Sequence, residues 1–354
     1  MDTKKRKYML SFVVGLFSIL AFSHISLAVA ADIPVWQMKE IALEAANTYE
    51  NYYVDVTCWI ELKGPNFSKR IYGFWDGGNV FKVRFVATSS GKWQWTSGSN
   101  QPDDKGLNNI TGEFTAINWT KKEKQQNPNR HGFVRATENG HALQYADGTP
   151  FFMVGDTWLA GTTWRLPYRN APTLENYVPG PGIGFEDAVM YRKKQGFNSV
   201  SMISCFPNWE SDTNPATYAD SSGLYLRNAW EKFEYLTDKG EMTAKNMRDE
   251  YGNLPFQMSR EHPGVADFDS IIPAYFQSLD KKMQYLSDAG FVPLLETVRR
   301  DNCPAWKAYF DFNESYSRFV QYLISRYSAY NIIFSGIHLD WIPKEYSLTA
   351  EEFN

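Results

Sequence analysis

Four short clusters of chemically capable side chains stand out: Asp156-Thr157-Trp158, Ser204-Cys205-Phe206-Pro207-Asn208-Trp209, Glu296-Thr297-Val298-Arg299-Arg300-Asp301 and His338-Leu339-Asp340-Trp341. Each follows an apolar run that reads as a buried strand. In a barrel of parallel strands, groups just past the C-terminal strand ends converge on one rim. Carboxylates, a histidine, arginines and tryptophans on such a rim suit glycoside hydrolysis. That chemistry needs one protonated carboxyl to donate to the leaving oxygen and a second carboxylate to attack or to activate water. Asp340 is the candidate acid, with an N-terminal loop cap or an ion pair to a neighbouring Arg as its structural alternative. Trp158, Trp209 and Trp341 offer faces for sugar stacking. Asp156 and Glu296 are candidates for binding sugar hydroxyls, unless they orient Arg299, Arg300 or a Trp indole instead. Arg299 and Arg300 can grip a uronic acid or sulfate bidentately, although adjacent side chains diverge. Asp301 and His338 complete the substrate-binding set, and His338, Asp340 and Asp156 lack metal-motif spacing, so neither metal nor cofactor is expected.

The elements that must position these groups repeat in a fixed order. Ala142 to Tyr145 and Phe151 to Val154 form an opening hairpin around the turn Asp147-Gly148, and its second arm counts as the first strand. Phe185 to Gln195 reads as a helix stopped by Gly196 in the left-handed conformation glycine tolerates best, followed by a strand from Asn198 to Ile203. Asp269 is the expected cap of a longer helix with Ile272, Tyr275, Phe276, Leu279, Met283 and Leu286 on one stripe. Gly290 ends it, and Phe291 to Leu295 reads as a strand. Tyr316 to Tyr327 is the next helix and Asn331 to Ser335 the next strand. Helix, stop and buried strand in repetition imply parallel pairing with helices outside the sheet. No Gly-rich phosphate loop follows any strand, which favours a barrel over an open doubly wound sheet. Phe206 to Asp267 interrupts this rhythm with about sixty residues rich in Asn, Asp, Tyr, Gly and Pro, read as a substrate-shaping lid.

The first half reads differently. Tyr53 to Lys63 alternates, with Val54, Val56, Cys58, Ile60 and Leu62 on one face. After the turn Asp76-Gly77-Gly78-Asn79, a second alternation groups Phe81, Val83, Phe85 and Ala87, with Lys82, Arg84 and Thr88 opposite. Trp93 and Trp95 mark a third strand, and Gly112 to Ile117 a last one. Short strands without helices imply an antiparallel, Ig-like β-sandwich able to bury its own core. The polar run Lys121 to Asn129 reads as a linker or solvated loop. The expected organisation is a signal peptide over 1–31, a sandwich over 32–118, a linker over 119–135, and over 136–354 the N-terminal half of a (β/α)8 TIM-type barrel. Only about four of the usual eight strands are counted, and the capping box Thr349-Ala350-Glu351-Glu352 opens a helix two residues before the last residue.

Composition sets further bounds. Lys4-Lys5-Arg6-Lys7, an apolar run from Tyr8 to Phe22 and small residues around Ala28 to Ala31 read as a secretory signal. An exported protein, periplasmic or secreted and bacterial, is therefore expected, with no membrane association after cleavage. A net charge of -4 without a long basic run argues against nucleic acid, and three scattered cysteines against a disulfide framework or metal cluster. Aromatic residues make up 16% of the chain, with 12 Trp, more than core filling usually takes.

Gly155-Asp156-Thr157-Trp158, Gly196-Phe197-Asn198, Glu296 to Asp301 and Asn331 to Trp341 resemble the apiosidase-like glycoside hydrolases. Phe74-Trp75-Asp76-Gly77-Gly78-Asn79, Lys82-Val83-Arg84-Phe85 and Gly91-Lys92-Trp93 are similar to the β-sandwich of unassigned function that precedes this catalytic domain in exported bacterial proteins. The resemblance implies a (β/α)8 barrel, an acidic acid/base after strand four, and a second carboxylate from a later strand, beyond residue 354. It also implies a polysaccharide or oligosaccharide substrate, as relatives act on plant and algal polysaccharide side chains. One departure is Ile337-His338-Leu339-Asp340, where the family's fourth strand commonly ends in Gly-Gly-Asp. The rival readings are a non-catalytic carbohydrate-binding protein and, more remotely, a structural adhesion module.

Overall fold

The computed structural model describes residues 32–164, 166–169, 184–205, 248–261, 266–298, 306 and 309–336. Alternating strands build the first region. A five-stranded sheet runs β1 (Ile33–Pro34), β8 (Thr111–Ile117), β7 (Gly91–Ser99), β3 (Cys58–Gly64) and β4 (Phe67–Tyr72) in spatial order. A three-stranded sheet runs β2 (Lys39–Glu44), β6 (Val80–Phe85) and β5 (Phe74–Gly77). All pairings are antiparallel except β1 with β8. The inward residues Cys58, Ile60, Leu62, Trp93 and Phe114 of one sheet meet Leu43, Phe81, Val83 and Phe85 of the other in a single core. Trp93 fits because Gly64 has no side chain, since a Cβ there would lie 2.3 Å from the indole.

Two expectations change here. The strand expected from Tyr53 begins only at Cys58, because the Asn51 side chain accepts from the Tyr53 and Val54 amides and caps a helical turn, α1 (Tyr52–Asp55). The polar run after Ile117 is no loose linker. Thr120 and Glu123 close a capping box at the start of α2 (Lys121–Gln126), and a 3-10 turn follows at Pro128–His131.

A small antiparallel sheet of β9 (Arg135–Ala136), β10 (Leu143–Gln144) and β11 (Pro150–Phe151) leads into the second region. There β12 (Gly155–Thr157), β13 (Ser199–Cys205), β16 (Leu294–Val298) and β17 (Ile333–Ser335) pair in parallel in that order. A two-stranded antiparallel ribbon, β14 (Phe256–Met258) with β15 (Ala266–Ile271), precedes the second long helix. The helices α3 (Phe185–Lys194), α4 (Pro273–Ala289) and α5 (Phe312–Tyr327) pack on the sheet face that carries Val200, Met202 and Leu295. Four parallel strands in sequence order with helices against one face fit the expected (β/α)n pattern. Among the described residues the sheet does not close.

Some boundaries shift. The first parallel strand is Gly155–Thr157 rather than the segment from Phe151, which pairs with Leu143 in the small sheet. Asp269 lies in β15 and does not cap α4, which starts with Pro273 in its first turn after Ile272. The third parallel strand begins at Leu294, so Glu296 lies inside it and not past its end.

The two regions share packing. Tyr53 and Phe74 of the sandwich belong to the core around α4 and α5, with ring centroids 5.7 and 6.0 Å from Tyr322. Residues 31–354 accordingly form one compact unit.

Candidate functional site

Side chains alternate across a strand, so register decides which residues share a face. Thr157 pairs with Ser201, Ile203 with Glu296 and Glu296 with Ser335. These residues, with Gly155 and Ser199, lie on the face turned away from the helices, which would be the lumen side of a barrel. Hydroxyls of Thr157, Ser201 and Ser335, from three of the four strands, therefore share this face with the one carboxylate that the remaining strand, β16, contributes. Glu296 is 7% exposed, and its Oε1 accepts from the Ser201 hydroxyl at 2.8 Å. A buried carboxylate among hydroxyls can accept from a sugar O–H far more strongly than it could in water.

Asp156 lies on the opposite face. Its partner in register is Val200 of the helix-packed layer. Its Oδ2 accepts from the Trp158 indole at 2.9 Å and sits 2.6 Å from Arg192 Nε of α3, while Oδ1 accepts from the Thr157 amide at 2.9 Å. Burial works against ionisation, but the Trp158 indole, the Thr157 amide and Arg192 outweigh it and hold this carboxyl below its ordinary range. Asp156 therefore fixes Trp158 and ties the strand to α3. The structure does not bring Asp156 and Glu296 together on one face.

Trp158 meets Phe185 edge to face at 5.8 Å and lines a cleft of about 450 Å³ with Leu166, Ala188, Tyr191 and Arg192. Tyr191 is 61% exposed at its mouth. The other candidates, Asp340, Trp209, Arg299, Arg300, Asp301, His338 and Trp341, lie outside the described residues. Ser201 was not among the sequence candidates. Its signal is the recurrence of serine at alternate positions, Ser199 and Ser201, against the apolar Val200 and Met202 between and after them. Among the described residues no group of three or more His, Cys, Asp or Glu is placed to hold a metal, and no helix is long and apolar enough to cross a membrane.

The profile of the apiosidase-like catalytic domain matches residues 137–337, more than half of the chain. The chain belongs to the apiosidase-like family. Residues 32–100 match a domain of unknown function, DUF5060, which places that domain in the sandwich. A provisionally assigned glycoside hydrolase from Bacteroides vulgatus ATCC 8482 shares the fold, with a TM-score of 0.59 and 21% identity over 91% of this apiosidase-like chain. The chain spans 52% of that structure's length. A glycoside hydrolase family 5 structure from the same organism aligns over 59% of this chain and 33% of its own at 15% identity, with a TM-score of 0.33. No curated protein matches the chain.

Proposed function

We propose that the chain carries part of the active site of an exported glycoside hydrolase, periplasmic or secreted, acting on a complex polysaccharide or its oligosaccharides. The observation that supports this reading is the buried Glu296 carboxylate, held by Ser201 in a row of hydroxyls on the lumen side of a parallel sheet, in a chain of a glycoside hydrolase family. Asp340, which follows the fourth strand in sequence, is the proposed acid, and Glu296 the proposed ligand of sugar hydroxyls. The second carboxylate of the pair is assigned to a later strand of the full barrel.

The test is Asp340→Asn in the protein with a complete barrel. An amide keeps the carboxylate's shape but cannot protonate a departing glycosidic oxygen, so polysaccharide cleavage should fall on the order of 10²-fold or more. An aryl glycoside with a low-pKa leaving group needs little protonation and should lose much less. Equal loss on both substrates, with circular dichroism unchanged, would make Asp340 a nucleophile or an anchor. Sugar binding without any turnover, in the intact protein, would favour the non-catalytic carbohydrate-binding reading.

A further inference from the structure

Helix α4 presents Tyr275 and Lys282 two turns apart on one face, and both reach the loop that follows β12. Tyr275 Oη donates to Ser204 O at 2.7 Å and lies 3.3 Å from Thr162 Oγ1. Lys282 is 1% exposed, and its ammonium donates to the carbonyls of Gly161 at 3.0 Å, Thr163 at 3.4 Å and Leu166 at 2.8 Å. Three carbonyls between Gly161 and Leu166 thus turn inward onto a single head group. Glu250 Oε2 stands 3.9 Å from the same nitrogen and accepts from the Tyr168 amide at 2.5 Å. A further tie joins the two segments, as the Trp164 amide donates to Arg248 O at 2.9 Å. The loop so held supplies Trp158, Gly161 and Leu166 to the 450 Å³ cleft.

We propose that Lys282 is a positioning residue, whose buried Nζ–H donors, on the amine as on the ammonium, tie the loop after the first parallel strand to the segment around Glu250 and thereby set the shape of the Trp158–Tyr191 cleft. Packing alone does not explain the arrangement. A lysine stem would fill the same space with its head group in water, whereas here the head group is buried and directed at backbone acceptors. The relevance of the cleft to sugars rests on the function proposed above.

The charged groups facing the ammonium are Glu250 and Asp249 from the segment before β14, while α3 offers the Phe185 ring at 5.5 Å. Burial lowers the Lys282 pKa to about 8, against the pull of Glu250 and Asp249. In an opened loop the lysine would titrate near its free value of about 10.4. Between these values the open form binds the proton more tightly, so raising the pH makes opening less favourable.

Amide hydrogen exchange on the whole chain tests this, with rates corrected for intrinsic exchange. In the wild type, the opening equilibrium of residues 158–164 and 166–168 should fall about tenfold from about pH 7 to about pH 9, with β3 as the unchanged reference. Lys282→Arg, which stays charged, should show a flat profile. Lys282→Met keeps the stem but leaves the carbonyls without a donor and Glu250 without its cation, so the loop should exchange about tenfold faster or more at neutral pH, with β3 unaffected. A Lys282→Met loop as protected as the wild type, or a flat wild-type profile, overturns the proposal. Should Lys282→Met fail to fold, the wild-type pH series decides. A parallel titration with pectin, xylan and arabinogalactan oligosaccharides separates the two claims: if exchange responds as stated but no oligosaccharide binds, the functional reading fails and the positioning role stands.

Discussion

Arg84 of the sandwich and Asp280 of helix α4, 196 residues apart, form a two-pronged ion pair, with Nη1 to Oδ1 at 3.0 Å and Nη2 to Oδ2 at 2.7 Å. Arg326 of α5 grips the same carboxylate from the other side, with Nε and Nη2 at 2.8 and 2.7 Å. Arg326 Nη2 also lies 2.8 Å from Asp76 Oδ1, a charge contact without hydrogen-bond alignment. Lys82 bridges Asp76 and Glu40, and Glu40 holds Arg84. Three cations and three anions therefore balance across the joint between sandwich and helices.

Asp280→Asn should break this balance, leaving two arginines, 5% and 0% exposed at their side chains, with too few counter-charges. Removing one partner of a buried pair costs about 3–5 kcal/mol. The wild type should unfold in one calorimetric transition, and the variant at a clearly lower temperature or in two steps as the sandwich separates. Burial disfavours the Asp280 carboxylate, but Arg326 and Arg84 outweigh it and depress its pKa. Its contribution is therefore present above the unfolded value and lost as the pH falls through the folded one.

Asp104 should govern the acid stability of the sandwich. It is fully buried and accepts from the amides of Ala46, Asn47 and Gly106 and from Tyr49 Oη, at 2.9, 3.1, 2.9 and 2.8 Å. Burial raises its pKa, but these donors more than offset that and the net shift is downward. Asp104→Asn turns an amide toward groups that are themselves donors and should cost about 3 kcal/mol at neutral pH. Urea unfolding from about pH 7 to about pH 2 should show the gap between wild type and variant closing as the wild-type carboxylate protonates. A gap that does not change with pH would contradict this assignment.

Much of this was legible in the sequence where local rules decide. The alternation of Cys58, Ile60 and Leu62, the glycine stops at Gly196 and Gly290, and the helix stripe through Leu279 and Leu286 all appear in the structure. The misreadings arise where a local or distant contact overrides the pattern. Asn51 captures the Tyr53 and Val54 amides and turns an apparent strand into a helical turn. Arg84 alternates as a surface residue yet is buried by Asp280, a partner no window of sequence could supply. Asn127 and Asn129 look like solvated linker residues, but their side-chain amides donate to Ser287 O, and Asn129 also to Phe291 O, closing the C-terminal end of α4. Asp156 and Glu296 each follow an apolar run and so read alike in sequence, and only the register sends them to opposite faces.

The most direct test of the proposed site is calorimetric titration of pectin, xylan and arabinogalactan oligosaccharides into the wild type, Glu296→Gln and Ser201→Ala. At least one oligosaccharide should bind the wild type. Binding should weaken about tenfold or more in Glu296→Gln, which loses a charge-assisted hydrogen bond, and less in Ser201→Ala, which loses only the hydroxyl that orients it. Thermal unfolding should show all three proteins folded at the titration temperature. Equal affinity of Glu296→Gln and wild type, or no binding by the wild type of any oligosaccharide in the panel, would contradict the assignment of this face to a glycan.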